Sequence, residues 1–151
     1  KMLGFLETLP EKESNPTANY FCSIIYFCKY MEIKDKKIVD SICECINRCR
    51  QLVKDGKNRG ITHYYYINRS VSEKNIFPLE FDRENAHWFE GTVVNADSNQ
   101  SGYLTLDMNP KLRAFFVPIY TELKRNQEVG QKVEAKIGFR FDGLSAWEIK
   151  Q

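Results

Sequence analysis

Five cysteines and two histidines are the residues best suited to metal or nucleophilic chemistry in this chain, and their setting argues against both. Cys43, Cys45 and Cys49 stand close together, with Cys22 and Cys28 upstream. A structural zinc site usually takes its ligands in close pairs from loops. Here the three clustered cysteines fall inside a segment of helical periodicity, where positions 45 and 49 share a face and 43 points elsewhere. They read as thiols packed like small apolar side chains. His63 and His87 lie in strand-like or connector sequence and offer no base for a Ser or Cys nucleophile. Glu80, Asp82 and Glu84 form an acidic run that reads as a solvated linker, and no glycine-rich loop is present to cradle a phosphate. The expectation is a non-catalytic chain with neither metal nor cofactor.

Charge gives a positive signal. The net charge is only +2, but the balance is uneven along the chain. Arg48, Arg50, Lys54, Lys57, Arg59 and Arg69 face a single acid, Asp55, whereas residues 88–151 carry eight charges of each sign. Cations at the end of a helix complement its dipole; the same cluster could instead contact phosphates. Lys111, Arg113, Lys124 and Arg125 would extend such a patch from the second half of the chain.

The elements that position these residues follow from periodicity and punctuation. With 151 residues, 42% hydrophobic and 28% charged, the chain can bury a sizeable core. Asn15-Pro16 is a helix start, Asn capping free N–H groups and Pro occupying the first helical position. That helix runs to about residue 31, and its Tyr20, Phe21, Ile24, Ile25, Tyr26, Phe27 and Cys28 leave hardly any polar face, so it needs cover from more than one side. A second helix over 35–55 is amphipathic, with Ile38, Ile42, Cys45 or Ile46, Cys49, Leu52 and Val53 opposed to Asp40, Glu44, Asn47, Gln51 and Lys54. Together they resemble one unit of a helical repeat. Residues 61–67 are rich in β-formers, 68–85 read as a linker, and short strands follow at 88–96, 100–106, 113–120, 132–141 and 145–150. The expected class is α+β: a helical region (1–67), a linker (68–85) and a small five-stranded antiparallel barrel (86–151).

The barrel resembles cold-shock and S1-type OB folds. Ser-Gly-Tyr-Leu-Thr-Leu (101–106) and Arg-Ala-Phe-Phe-Val-Pro (113–118) are similar to the family's second- and third-strand motifs, whose outward aromatics stack on unpaired bases. The resemblance implies that Tyr103 and Phe116 face outward while Phe115 and Val117 enter the core. Thr105 and Pro118 replace an aromatic and a histidine of the family pattern, so half the stacking platform is missing. A longer resemblance runs from residue 20 to 149, ending in Gly138-Phe139 and Gly143 with Trp147-Glu148-Ile149. It is similar to the C-terminal region of the interferon-regulated, sterile-alpha-motif-containing antiviral proteins, and implies a segment of a larger cytosolic innate-defence protein.

Two functions are expected from these readings. The first is a nucleic-acid-binding module for single-stranded RNA or DNA, stacking on Tyr103 and Phe116 and contacting phosphates through Lys111, Arg113, Lys124, Arg125, Arg48, Arg50, Lys54, Lys57 and Arg59. The second is an interaction module for other domains of the parent chain or for a protein partner. An odd count of five cysteines, four or more of them in helix-like sequence, fits a reducing compartment and a cytoplasmic location. No apolar run approaches the roughly 18 residues needed to cross a bilayer, and the start at Lys1-Met2-Leu3 suggests a piece of a longer protein.

Overall fold

Capping residues open both helices of the computed structural model, which describes residues 15–55, 65–66, 79–80, 84, 86–96, 101–118, 121, 129–140 and 142–150. Helix α1 (Pro16–Ile33) starts at Asn15, whose side chain accepts from the Ala18 N–H at 3.1 Å. Helix α2 (Lys36–Lys54) starts at Asp35, which accepts from Lys37 N–H at 3.0 Å. Between them Lys34 takes a left-handed conformation (φ 63°) and its N–H closes on the Tyr30 carbonyl at 2.8 Å. This αL cap stops α1 and turns the chain back within two residues.

Seven strands follow: β1 (Tyr65–Tyr66), β2 (Leu79–Glu80), β3 (Trp88–Asn95), β4 (Gly102–Leu106), β5 (Asn109–Phe116), β6 (Lys132–Arg140) and β7 (Gly143–Lys150). Pairing runs β3–β4–β5–β7–β6 and returns to β3, closing a five-stranded barrel. Four of its pairings are antiparallel, but β5 and β7 are parallel, with Ala114 opposite Leu144 and Phe115 opposite Ser145. The all-antiparallel expectation is corrected at that seam. The first three strands form a meander, and a parallel neighbour of the third can arrive only by a crossover. A closed mixed barrel in this strand order is OB-like, and the fold class is α+β. Outside it, β1 pairs with β6 at Phe139 and Gly138, and β2, inside the stretch read as a linker, pairs with β1.

β5 also begins four residues earlier than expected. Asn109-Pro110 reads as a turn, yet the turn is Asp107-Met108, and Pro110 lies at the start of the strand, where a missing N–H is tolerated. The strand stops before Pro118, whose carbonyl accepts from the Thr121 N–H and hydroxyl.

Helices and barrel share one core. Phe89, Val93, Leu104, Leu106, Leu112, Ala114, Phe116, Ile137 and Phe139 fill the barrel and join Tyr20, Ile24, Phe27, Val39, Ile42 and Cys49 of the helices. Phe27 is fully buried, with its ring edge-to-face with Phe139 (5.3 Å) and Phe89 (5.7 Å). Two hydroxyls fix the orientation: Tyr20 donates to the Phe139 carbonyl at 2.8 Å and Tyr30 to the Met108 carbonyl at 3.3 Å. The all-round apolar character of α1 is thus explained in part by the barrel end that it covers.

Candidate nucleic-acid interface

Strand alternation decides which residues of β4 and β5 meet solvent, because successive side chains point to opposite faces. On β4, Gly102, Leu104 and Leu106 are buried while Tyr103 is 41% exposed. On β5, Leu112, Ala114 and Phe116 are buried, and Lys111, Arg113 and Phe115 face out. The register places Tyr103 opposite Phe115 and Thr105 opposite Arg113. Cross-strand partners project to the same side, so Tyr103, Phe115 and Arg113 form one surface group. The two rings meet edge-to-face at 6.0 Å, and the Arg113 guanidinium carbon stands 5.6 Å from the Tyr103 ring centroid.

Phe116 is therefore not an outward stacking residue. It is 2% exposed, and its place as the second ring is taken by Phe115. The cause is Gly102, directly opposite Phe116. A Cβ there would lie 2.8 Å from Phe116 Cζ and 2.8 Å from the Asn95 carbonyl oxygen. The Phe116 ring occupies the space that a side chain at 102 would need, which fixes the parity of the whole strand. Replacing Gly102 by Ala is expected to cost about 1–3 kcal/mol through overpacking. Urea denaturation checks this; a cost near zero would mean that the ring is free to shift.

The predicted cations divide sharply. Arg113 is exposed and carries no acidic partner among the described residues. Lys111 is paired with Asp40 at 3.0 Å. Arg48 is held by Glu44 at 2.9 Å and reaches Asn19 Oδ1 at 3.4 Å. Arg50 donates through Nε and a terminal nitrogen to the Asp142 carbonyl at 3.2 and 2.6 Å. It pins α2 to the β6–β7 turn, where Gly143 adopts φ 126°. Lys54 lies exposed in the last turn of α2. Lys57, Arg59, Lys124 and Arg125 lie outside the described residues, as do His63 and Asp82. Among the described cations of this cluster, Lys111 and Arg50 join the helices to the barrel, while Arg48 is engaged within the helical hairpin.

Sequence reasoning missed a cation at the other border of the face. Lys132 lies across β3 from β4 by register. Its Nζ donates to Thr92 Oγ1 at 2.7 Å and lies 3.3 Å from both Asp107 oxygens. Val94 and Val129 are exposed apolar residues near the same end of the barrel as Tyr103.

The cysteines are free thiols, four of them buried, and only Cys43 is half-exposed. Burial pushes the Cys28 thiol up to about 12 and, with the Asp142 charge adding to it, the Cys49 thiol up to about 11. Both stay protonated at neutral pH and are poor ligands or nucleophiles in that state. Among the described residues no group of three or more His, Cys, Asp or Glu is placed to hold a metal ion, and no helix is long and apolar enough to cross a membrane. Comparison of the chain with family models, curated proteins and solved structures finds no match.

Proposed function

We propose that the chain is a non-catalytic binding module whose β4–β5 face takes unpaired nucleotides of RNA or DNA. The observation that carries this reading is the outward grouping of Tyr103, Phe115 and Arg113 on the second and third strands of an OB-like barrel. That face is the one on which such barrels engage oligonucleotides, and exposed rings offer stacking to any base. Arg113 supplies an unspent positive charge beside them. The resemblance of the segment ending in Trp147-Glu148-Ile149 to the interferon-regulated antiviral family supports placing the module in a larger cytoplasmic innate-defence protein.

The test is fluorescence anisotropy of labelled single- and double-stranded RNA and DNA across a salt series. Binding to single strands is expected to have a shallow salt dependence. Each phosphate neutralised contributes about −0.7 to the slope of log K against log[salt] for single strands. Arg113, without an acidic partner among the described residues, therefore predicts a slope of about −0.7, Lys132 being held already by Asp107. A slope of about −4 or steeper would transfer the binding to a basic surface elsewhere, and no binding at low salt would overturn the reading.

A second reading is an interaction surface for another domain of the parent protein or for a protein partner. It is favoured by the exposed Val94 and Val129 near Tyr103 and by the pairing of Lys111, Arg48 and Arg50 within the molecule. Absence of nucleic-acid binding with retained capture of a neighbouring domain would select it.

A further inference from the structure

We infer that the helical hairpin walls off one end of the binding face and restricts it to about two unpaired nucleotides, one per ring; this rests on the strand-binding reading above. The outward residues of β5 are Lys111, Arg113 and Phe115, spaced by about 6.6 Å at 3.3 Å per residue. At the Lys111 end α2 closes in. Asp40 meets Lys111 Nζ, and the Cys43 thiol approaches the Lys111 carbonyl at 3.7 Å. From the same helix Arg50 holds the β6–β7 turn. In this fold that turn and the β3–β4 connection are the two rims between which a ligand crosses the face. One rim is thus attached to α2.

Charge closes the same direction. Past Lys111 the surface continues as an open groove along α2, lined by Asp40, Glu44, Asn47, Arg48 and Gln51. Its cations are engaged, Lys111 by Asp40 and Arg48 by Glu44. A phosphate leaving the rings this way meets two carboxylates, with both lining cations already neutralised. What stays open is the stretch from Arg113 to Phe115 beside Tyr103, about 7 Å long. The ligand it fits is a strand end or a tight loop rather than an extended strand.

Anisotropy with labelled oligonucleotides of three, six and nine residues tests this, comparing the wild type with a variant carrying Asp40→Asn and Glu44→Gln. Both replaced side chains are 67% exposed, so the fold should hold, with circular dichroism as the check. For the wild type, affinity should rise from trimer to nonamer by no more than about fourfold, because a two-residue site finds about two registers in a trimer and about eight in a nonamer, whereas each additional stacked base would multiply it by roughly five or more. The variant should bind the trimer equally and the nonamer at least about fivefold more tightly than the wild type does. A wild-type gain of hundreds or more from three to nine residues would overturn the inference and leave strand binding intact. A variant that tracks the wild type at every length would remove Asp40 and Glu44 as the wall. No binding at any length would overturn both the inference and the reading beneath it.

Discussion

Replacing Phe27 by Ala is expected to destabilise the protein by about 3–5 kcal/mol, the usual cost of deleting a buried phenyl ring. The ring is fully buried and edge-to-face with Phe89 and Phe139, so its loss opens a cavity between helix and barrel. Domain stabilities are typically about 5–15 kcal/mol, so the variant should unfold at far lower denaturant and lose helical and barrel signals together. Equilibrium urea denaturation, followed by far-ultraviolet circular dichroism and by tryptophan fluorescence, measures both. Trp88 and Trp147 lie on β3 and β7 and report the barrel. A cost under about 1 kcal/mol, or a barrel transition unmoved while the helices melt, would mean that the two do not share a core.

The second large effect concerns binding. Tyr103→Ala with Phe115→Ala should weaken single-strand affinity by about 2–6 kcal/mol, if each ring carries one base worth about 1–3 kcal/mol. That is at least roughly 30-fold. Tyr103 is 41% exposed and Phe115 half-buried, so the fold should survive. Phe116→Ala serves as the contrast, because it removes a core ring beside Gly102 and should lower stability first. Anisotropy read beside circular dichroism separates these outcomes. Unchanged affinity in the folded double variant would end the stacking hypothesis.

The helices were largely legible because their signals are local. Asn15-Pro16 and Asp35 announce the starts, and the period of α2 marks its buried stripe. Strand positions were legible to within a few residues, but the parity of β5 was not. Arg-Ala-Phe-Phe-Val-Pro has aromatic or apolar residues at both parities, so periodicity cannot say which ring is inward. Gly102, opposite on the neighbouring strand, decides it, and that is information about pairing rather than pattern. The early start of β5 was hidden for a similar reason, since Asn109-Pro110 carries a stronger turn signal than Asp107-Met108. The fate of the cations lay furthest from view. Lys111 and Asp40 are 71 positions apart, and Arg50 and Asp142 are 92 apart. A sequence displays a positive charge but not the distant group that neutralises it.

The parallel seam between β5 and β7 has a consequence for how the molecule is made. A meander of β3, β4 and β5 can pair as soon as it has been synthesised, because its neighbours are adjacent in sequence. The seam cannot close until residues 143–150 arrive, and closing it carries the loop entropy of the intervening chain. On the ribosome, the nascent protein therefore holds β5 with an open edge until nearly the last described residue emerges. During that interval the unpaired backbone and the apolar interior are exposed together, the condition under which partly built sheets associate with one another. A ribosome stalled before residue 143 should thus display a chaperone substrate.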